Sequence, residues 1–187
     1  KFTDFELFEA GLVVKGKNRG FYDRFRGRLI FPIKDARGNI IAFSGRLLDK
    51  EAKEAKYINS PETPLYHKRE SLYGIDLAKD KVRKDNNAYI VEGEFDVISM
   101  YQNGIENVVA IKGSALTKEQ LLYLKRYTNT IVLALDADAS GEEAMKRALD
   151  DAESLDFEIK IATIDFAKDP DEAVNTDVNK FKKALLD

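Results

Sequence analysis

An apolar stretch that ends in two carboxylates constrains the fold of this chain more than any other feature. Residues 131–135 are all apolar, and Asp136 and Asp138 follow at once. Side chains two residues apart in an extended segment point the same way, so these carboxylates are expected to share one location. Like charges that close repel each other unless a cation lies between them. Oxygen ligands without His or Cys suit Mg²⁺ or Mn²⁺, so the pattern predicts a metal site that handles phosphates.

The second half of the chain alternates short apolar strands with helices. Strands are predicted at 88–91, 107–111, 130–135 and 157–163, and helices at 94–103, 117–127, 140–154 and 178–186. This alternation, with short loops, predicts an α/β fold whose mostly parallel sheet carries helices on both faces. Ligands of such sheets bind at the carboxyl ends of the strands, where the acidic motifs of this chain fall.

The first half of the chain reads differently. A capping box at Thr3 and Glu6 predicts a short helix that ends near Gly11. Residues 15–27 are predicted as a loop and 57–64 as irregular, and a helix is predicted over 71–82. Strands at 28–33 and 40–44 flank a turn and predict a hairpin, in which Pro32 indicates an edge strand or a bulge.

The charge of the chain is unevenly distributed. Residues 1–75 carry 15 Lys and Arg against 10 Asp and Glu, whereas residues 76–187 carry 15 against 23. A basic part followed by an acidic one fits a polyanion held by the first and metal ions held by the second. Ordinary surface scatter would give the same totals. With no Cys in the sequence, disulfides and thiolate-bound zinc are excluded.

Two further acidic groups lie at predicted strand ends. Glu92 and Asp96 follow strand 88–91, and Asp169 and Asp171 follow strand 157–163. Each has a simpler interpretation, as charges at helix N-termini or as an N-cap, and Glu94 is interpreted in that way. Three acidic strand ends at one edge of a sheet would need cations. Two metal ions there could activate a hydroxyl and stabilise a leaving phosphate oxygen.

Basic residues interleaved with aromatic ones mark the first half. Arg46 ends a strand, and Lys56 and Lys68 flank the segment that contains Tyr57 and Tyr66. Cations beside aromatic rings suit phosphate contact and base stacking, although a solvated charged face is the alternative. The single His67 is interpreted as incidental rather than catalytic.

Several of these motifs together resemble the core of bacterial replicative DNA primases of the DnaG type. The resemblance rests on residues 24–33, 43–46 and 56–63, and on the acidic motifs, which match the Toprim module of that family. The string Asn-Ser-Pro-Glu-Thr at 59–63 is the specific part, because topoisomerases, RecR-like proteins and OLD-type nucleases share the acidic motifs. The resemblance implies a partial, basic α+β N-terminal subdomain at 1–84 and a Toprim catalytic domain at 85–187.

The resemblance also implies roles for individual residues. Catalysis would depend on Glu92, Asp136 and Asp138. The metal-binding ring would comprise Glu92, Asp96, Asp136, Asp138, Asp169 and Asp171. Contacts with nucleotides or nucleic acid would come from Arg46, Lys56, Asn59 and Lys68. The implied reaction is the template-directed joining of ribonucleoside triphosphates into an RNA primer on single-stranded DNA, with Mg²⁺ or Mn²⁺ and no zinc.

Two departures from the family pattern qualify this interpretation. Glu94 stands where the family often has an aromatic residue, which adds a charge beside the expected metals. The family's zinc module and helicase-binding module have no counterpart in the sequence, so we expect a catalytic fragment that would reach the replicative helicase through a region absent here. The expected location is the cytoplasm, at the replication fork and away from membranes. The alternatives are another Toprim enzyme, a nuclease or topoisomerase, or a nucleotide-binding regulatory module.

Overall fold

The chain divides into two compact units, Lys1–Lys68 (unit 1) and Arg69–Asp187 (unit 2). The computed structural model describes residues 1–16, 20–49, 51, 53–113, 115–135 and 142–186, with the backbone alone at 142–145. Within those ranges, every helix falls short of the length and apolarity that a membrane crossing requires.

Unit 1 begins with the predicted capped helix, α1 (Asp4–Glu9). The Thr3 amide donates to Glu6 Oε2 at 2.7 Å and the Glu6 amide donates to Thr3 Oγ1 at 3.2 Å, which confirms the capping box. Strands β1 (Val13–Lys15) and β2 (Phe21–Asp23) then pair antiparallel. The expectation of a loop over 15–27 was therefore wrong at Lys15, the last residue of β1, and over Phe21–Asp23, which form β2.

The main sheet of unit 1 has three antiparallel strands in the order β3-β4-β5. They are β3 (Arg28–Lys34), β4 (Ile40–Leu47) and β5 (Tyr57–Asn59). The predicted hairpin is confirmed. Pro32 lies in the edge strand β3, whose register shifts between Ile33 and Lys34, so both features that Pro32 indicated are present. The segment expected to be irregular instead contributes β5, because pairing with β4 supplies its hydrogen bonds.

Unit 2 is built on a four-stranded parallel sheet in the order β7-β6-β8-β9, as predicted. Its strands are β6 (Ala88–Val91), β7 (Val108–Ala110), β8 (Thr130–Leu133) and β9 (Glu158–Ile161). Its helices are α2 (Ile75–Asp85), α3 (Glu94–Gln102), α4 (Lys118–Leu124), α5 (Glu142–Ser154), α6 (Pro170–Thr176) and α7 (Val178–Ala184). Every residue of β6 and β7 is buried, as expected of strands covered on both faces.

Helix α2 begins four residues later than predicted. Residues 71–74 do not enter the helix, because Tyr73 forms an antiparallel bridge with Ala110 of β7. The Tyr73 amide donates to Ala110 O at 2.9 Å and the Ala110 amide donates to Tyr73 O at 3.0 Å. Gly74 then turns the chain into α2 with a φ of 85°.

Candidate functional site

The strand order of unit 2 reverses between β6 and β8, whose carboxyl ends lie side by side. The chain passes from β6 to β7 on one side of the sheet and later to β8 on the other, and ligands bind where the order reverses in this way. Glu92, half-buried, follows β6 directly, and its carbonyl accepts the Lys112 amide at 3.2 Å. Glu92, the predicted catalytic residue that the structure describes, therefore lies at this reversal of strand order.

Strand β8, which precedes the second predicted acidic motif in the sequence, ends against β6. The Ala134 amide donates to Ile90 O at 2.9 Å, and this bond fixes the end of β8 against β6. Asp136 and Asp138, which follow two and four residues later, lie outside the described residues. Their roles in catalysis and metal binding stay predictions.

Asp96 links two helices at their N-termini. Its carboxylate is 7% exposed and accepts two amides, that of Gly93 to Oδ2 at 2.9 Å and that of Asp171 to Oδ1 at 3.2 Å. A carboxylate at a helix N-terminus is stabilised by the helix dipole and by the free amides. Asp96 thus caps α3 and holds the start of α6, which brings two predicted metal ligands, Asp96 and Asp171, together.

The carboxylate of Asp171 is fixed in turn by polar side chains. Ser99 Oγ donates to Asp171 Oδ1, and Asn175 Nδ2 donates to the same oxygen at 3.0 Å. Sequence reasoning missed both partners. The available signal for Ser99 was its position three residues after Asp96, which places the two side chains on one face of α3.

Asp169 adopts the simpler of its two predicted roles. It is the N-cap of α6, and its Oδ1 accepts the Glu172 amide at 2.8 Å. The Lys168 amide donates to Glu172 Oε2 at 2.9 Å, which closes the turn before the helix. Whether Asp169 also binds a metal stays a prediction.

The donor chemistry of this edge fits a hard divalent cation. Glu92, Asp96, Asp169 and Asp171 offer carboxylate oxygens, which Mg²⁺ and Mn²⁺ prefer. Within the described ranges, no three acidic or histidine side chains stand close enough to form a complete cation site. The remaining predicted ligands, Asp136 and Asp138, belong to the part of the chain outside those ranges.

Glu94 occupies an unexpected environment. Glu94 is the first residue of α3, which agrees with its interpretation as a charge at a helix N-terminus. It is, however, only 2% exposed and forms an ion pair with Lys112. Burial raises the pKa of the nearby Tyr73 hydroxyl to about 12, and the charges of Glu94 and Asp76 add to that shift. Nothing in the local pattern around Glu94 indicated Lys112, which lies 18 residues away.

Unit 1 gathers two of its predicted cations over one aromatic ring. The Arg46 guanidinium lies 5.7 Å and the Lys56 ammonium 5.8 Å from the centre of the Tyr57 ring. Arg46 of β4 pairs directly with Tyr57 of β5, so the two side chains lie on the same face of the sheet. Cations at this distance from a ring interact with its π face and remain able to meet a phosphate.

Asn59 lies on that same face, two residues along β5. It pairs with Ser44, and its Oδ1 is the buried side-chain oxygen without a hydrogen-bond partner among the described residues. Such an oxygen is costly to leave unpaired, so a ligand donor at this position would be stabilising.

Three further basic residues of unit 1 differ in their exposure and their contacts. Lys68 is exposed at the end of a turn in which its amide donates to Glu62 Oε1 at 2.9 Å. Arg28, by contrast, has a side chain only 3% exposed and donates to Ala55 O at 2.8 Å. Arg24 donates to Gly11 O at 3.0 Å. Arg24 and Arg28 therefore brace the fold, and Arg28 fixes the segment that leads into Lys56.

Two family models match the chain and together span most of it. The DNA primase catalytic core, N-terminal domain, matches residues 1–79, and the Toprim-like family matches residues 89–174. Both agree with the order of the two units along the chain.

Similar proteins and solved structures agree with the two family models. The DNA primase of Clostridium acetobutylicum is 48% identical over 92% of this chain, which spans 28% of that protein. The structure of a DNA primase domain from Pseudomonas aeruginosa has a TM-score of 0.87 and 37% identity, covering 96% of this chain and 57% of that one. The structure of a DnaG primase catalytic domain bound to single-stranded DNA has a TM-score of 0.88 and 34% identity, covering 97% and 59%.

The chain thus spans less than a third of the length of that curated relative. Toprim primases are in general dependent on divalent metal ions. The two matched models, the identities and the shared fold lead to one conclusion: this chain belongs to the DnaG-type DNA primase family and carries part of its catalytic core followed by its Toprim domain.

Proposed function

We propose that this chain is the catalytic part of a primase that joins ribonucleoside triphosphates into an RNA primer on single-stranded DNA. The observation that carries the proposal is the convergence at the carboxyl edge of the unit 2 sheet. Glu92 follows β6 at the reversal of strand order. Asp96 accepts a hydrogen bond from the Asp171 amide, 75 residues away in the sequence, which holds Asp171 beside α3.

The acidic edge is the proposed place of nucleotidyl transfer. Glu92, Asp136 and Asp138 would hold Mg²⁺ or Mn²⁺, with Asp96, Asp169 and Asp171 completing the ring. Bound divalent ions would activate the attacking 3′-hydroxyl and stabilise the charge that develops on the leaving pyrophosphate. The hydrogen bonds that fix Asp96 and Asp171 keep both carboxylates in place before any ligand arrives, which lowers the cost of organising the site.

Unit 1 is the proposed contact for template or nucleotide. Arg46, Lys56 and Lys68 would bind phosphates, and the half-exposed Tyr57 offers a ring on which a base can stack. Asn59 would accept a hydrogen bond through its unpaired Oδ1. A similar structure is bound to single-stranded DNA, which supports this type of ligand. The proposed protein would act in the bacterial cytoplasm and meet the replicative helicase through another region.

The test is primer synthesis by the intact protein on single-stranded DNA with Mg²⁺ or Mn²⁺. Asp136→Ala and Glu92→Gln should each reduce synthesis by about a hundredfold or more, since loss of even an outer-shell partner costs 10- to 100-fold. Asp150→Asn, an exposed acid on α5, is the matched control and should leave synthesis unchanged.

Normal synthesis by Asp136→Ala would refute the proposal. DNA nicking without nucleotides would instead favour a Toprim nuclease or topoisomerase. Nucleotide binding without any chemistry in the intact protein would favour a regulatory module.

A further inference from the structure

Glu94 presents a problem at the acidic edge of unit 2. It lies in sequence between Glu92 and Asp96, two proposed metal ligands, and a third free carboxylate there would add to the negative charge that attracts the cations. Its side chain is only 3% exposed, although an ionised carboxylate taken out of water is costly unless it is paired. The residue that pairs with it therefore decides what Glu94 does.

Lys112 is that partner, and both its backbone conformation and its side-chain contact are specific. It follows β7 with a φ of 56°, in the left-handed region that is unfavourable for any residue with a side chain. Its side chain is 7% exposed and pairs with Glu94, while its amide donates to Glu92 O at 3.2 Å. One residue thus neutralises Glu94 and fixes the main chain of Glu92.

The pair leaves little net charge behind. Lys112 and Glu94 are both buried, so each compensates the other in a medium where charges interact strongly. The neighbouring Tyr73 hydroxyl, like any tyrosine, is protonated at neutral pH and adds no negative charge. The carboxylates left to attract cations are then the proposed ligands on either side.

We propose that Lys112 is a positioning residue, which holds the Glu94 carboxylate in a buried ion pair and thereby keeps it out of the cation site. This inference rests on the proposed cation site. It makes Lys112 a determinant of how many carboxylates that site presents, and it removes Glu94 from the list of metal ligands.

The test measures Mn²⁺ binding to the 187-residue chain, with the free ion detected by electron paramagnetic resonance. Lys112→Met releases a carboxylate beside Glu92 and should tighten Mn²⁺ binding about tenfold, since one unpaired like charge shifts such equilibria by a log unit or more. Lys112→Arg keeps the charge and should bind as the wild type does. The double variant Lys112→Met/Glu94→Gln should return to within about twofold of wild-type affinity, because it removes both charges together.

Urea unfolding of the same variants supplies an independent readout. Lys112→Met should lower the unfolding midpoint strongly, and adding Glu94→Gln should recover most of the loss, because an unpaired buried charge is the cause. Lys81→Met is the matched control. Lys81 pairs with Asp85 on α2 with both side chains about one third exposed, and its loss should shift the midpoint little.

Three results would overturn the proposal. The first is an unchanged Mn²⁺ affinity in a folded Lys112→Met variant. The second is a Mn²⁺ affinity at least tenfold weaker in the double variant, which would mean that Glu94 is itself a ligand. The third is that the effects of the two substitutions on the unfolding midpoint are additive. If Lys112→Met fails to fold, Lys112→Arg and the double variant still decide between the pair and a ligand. A wild-type chain that binds no Mn²⁺ refutes the cation site itself, and the unfolding cycle then tests the ion pair separately.

Discussion

The two units hold their candidate functional side chains by opposite means. In unit 2, the carboxylates of Asp96 and Asp171 are fixed by hydrogen bonds from other elements, and Asp96 is 7% exposed. In unit 1, Arg46 and Lys56 lie over the ring of Tyr57, which is 37% exposed. A fixed edge suits ligands that demand a set oxygen geometry, and cations beside an exposed ring suit a polyanion whose bases can stack.

This contrast has a consequence for mutation. Removing the carboxylate of Asp96 or Asp171 from the unit 2 edge would leave its hydrogen-bond partners unsatisfied, so folding and function should be lost together. Removing an exposed cation from unit 1 should alter binding with the fold intact. The following predictions test that difference, from the largest expected effect to the smallest.

Gly11→Ala should destabilise unit 1 by about 3 kcal/mol, because a side chain there is both strained and obstructed. Gly11 has a φ of 71°, and an added Cβ would lie 2.6 Å from Pro61 Cδ. Hydrogen exchange at the β3–β5 amides measures the effect, with the β6 amides as the internal reference. Gly27→Ala is the control, since Gly27 has a φ of 64° but nothing within 4 Å. It should cost about 1 kcal/mol. Equal losses in the two variants would show that contact with Pro61 contributes nothing.

Tyr73→Phe should flatten the alkaline limb of the stability profile of unit 2. Burial, with Glu94 and Asp76, raises the pKa of Tyr73 to about 12 from 10.0. The stability linked to this hydroxyl is fully present below pH 10 and is lost as the pH rises towards 12. Its share should be about 1–2 kcal/mol after allowance for partial exposure.

Urea unfolding by circular dichroism between these pH values is the measurement. A residual slope is expected in the variant, because burial and the charge of Asp85 also raise the pKa of Tyr89. An unchanged slope after Tyr73→Phe would mean that the hydroxyl ionises as readily in the folded chain as in the unfolded one.

Lys56→Met should weaken single-stranded DNA binding about fivefold, roughly 1 kcal/mol, with unchanged unfolding, because Lys56 is exposed. The slope of log affinity against log salt should fall by about 0.7, the value for one phosphate contact on a single strand. Fluorescence anisotropy with a labelled oligonucleotide measures both quantities. Arg37→Met, on the exposed turn between β3 and β4, is the control and should change neither. A loss of stability in Lys56→Met would remove the contrast between the units.

Local patterns predicted the elements whose information is local. Strand β6 was predicted at its observed bounds because a buried parallel strand is a continuous apolar run. The capping box at Thr3 was equally predictable, since its two residues are three positions apart in the sequence. The parallel sheet followed from the alternation of strands and helices.

The missed features depend on distant partners. Strand β5 exists because β4 pairs with it, and α2 starts late because Tyr73 pairs with Ala110. Ser99 reaches Asp171 across 72 residues, and Lys112 reaches Glu94 across 18. No periodicity within either segment specifies such contacts. The resemblance identified the family, but it assigned no role to Ser99, Asn175 or Lys112.

The hydrogen bond between Asp96 and the Asp171 amide determines when the acidic edge can form during translation of the chain. Its two residues are 75 positions apart, with β7, β8 and β9 between them. A ribosome must therefore deliver nearly the whole of unit 2 before α3 and α6 can meet. A nascent chain that has reached only β8 has no α6 to pair with α3, so the proposed cation site would be complete only after α6 has been translated.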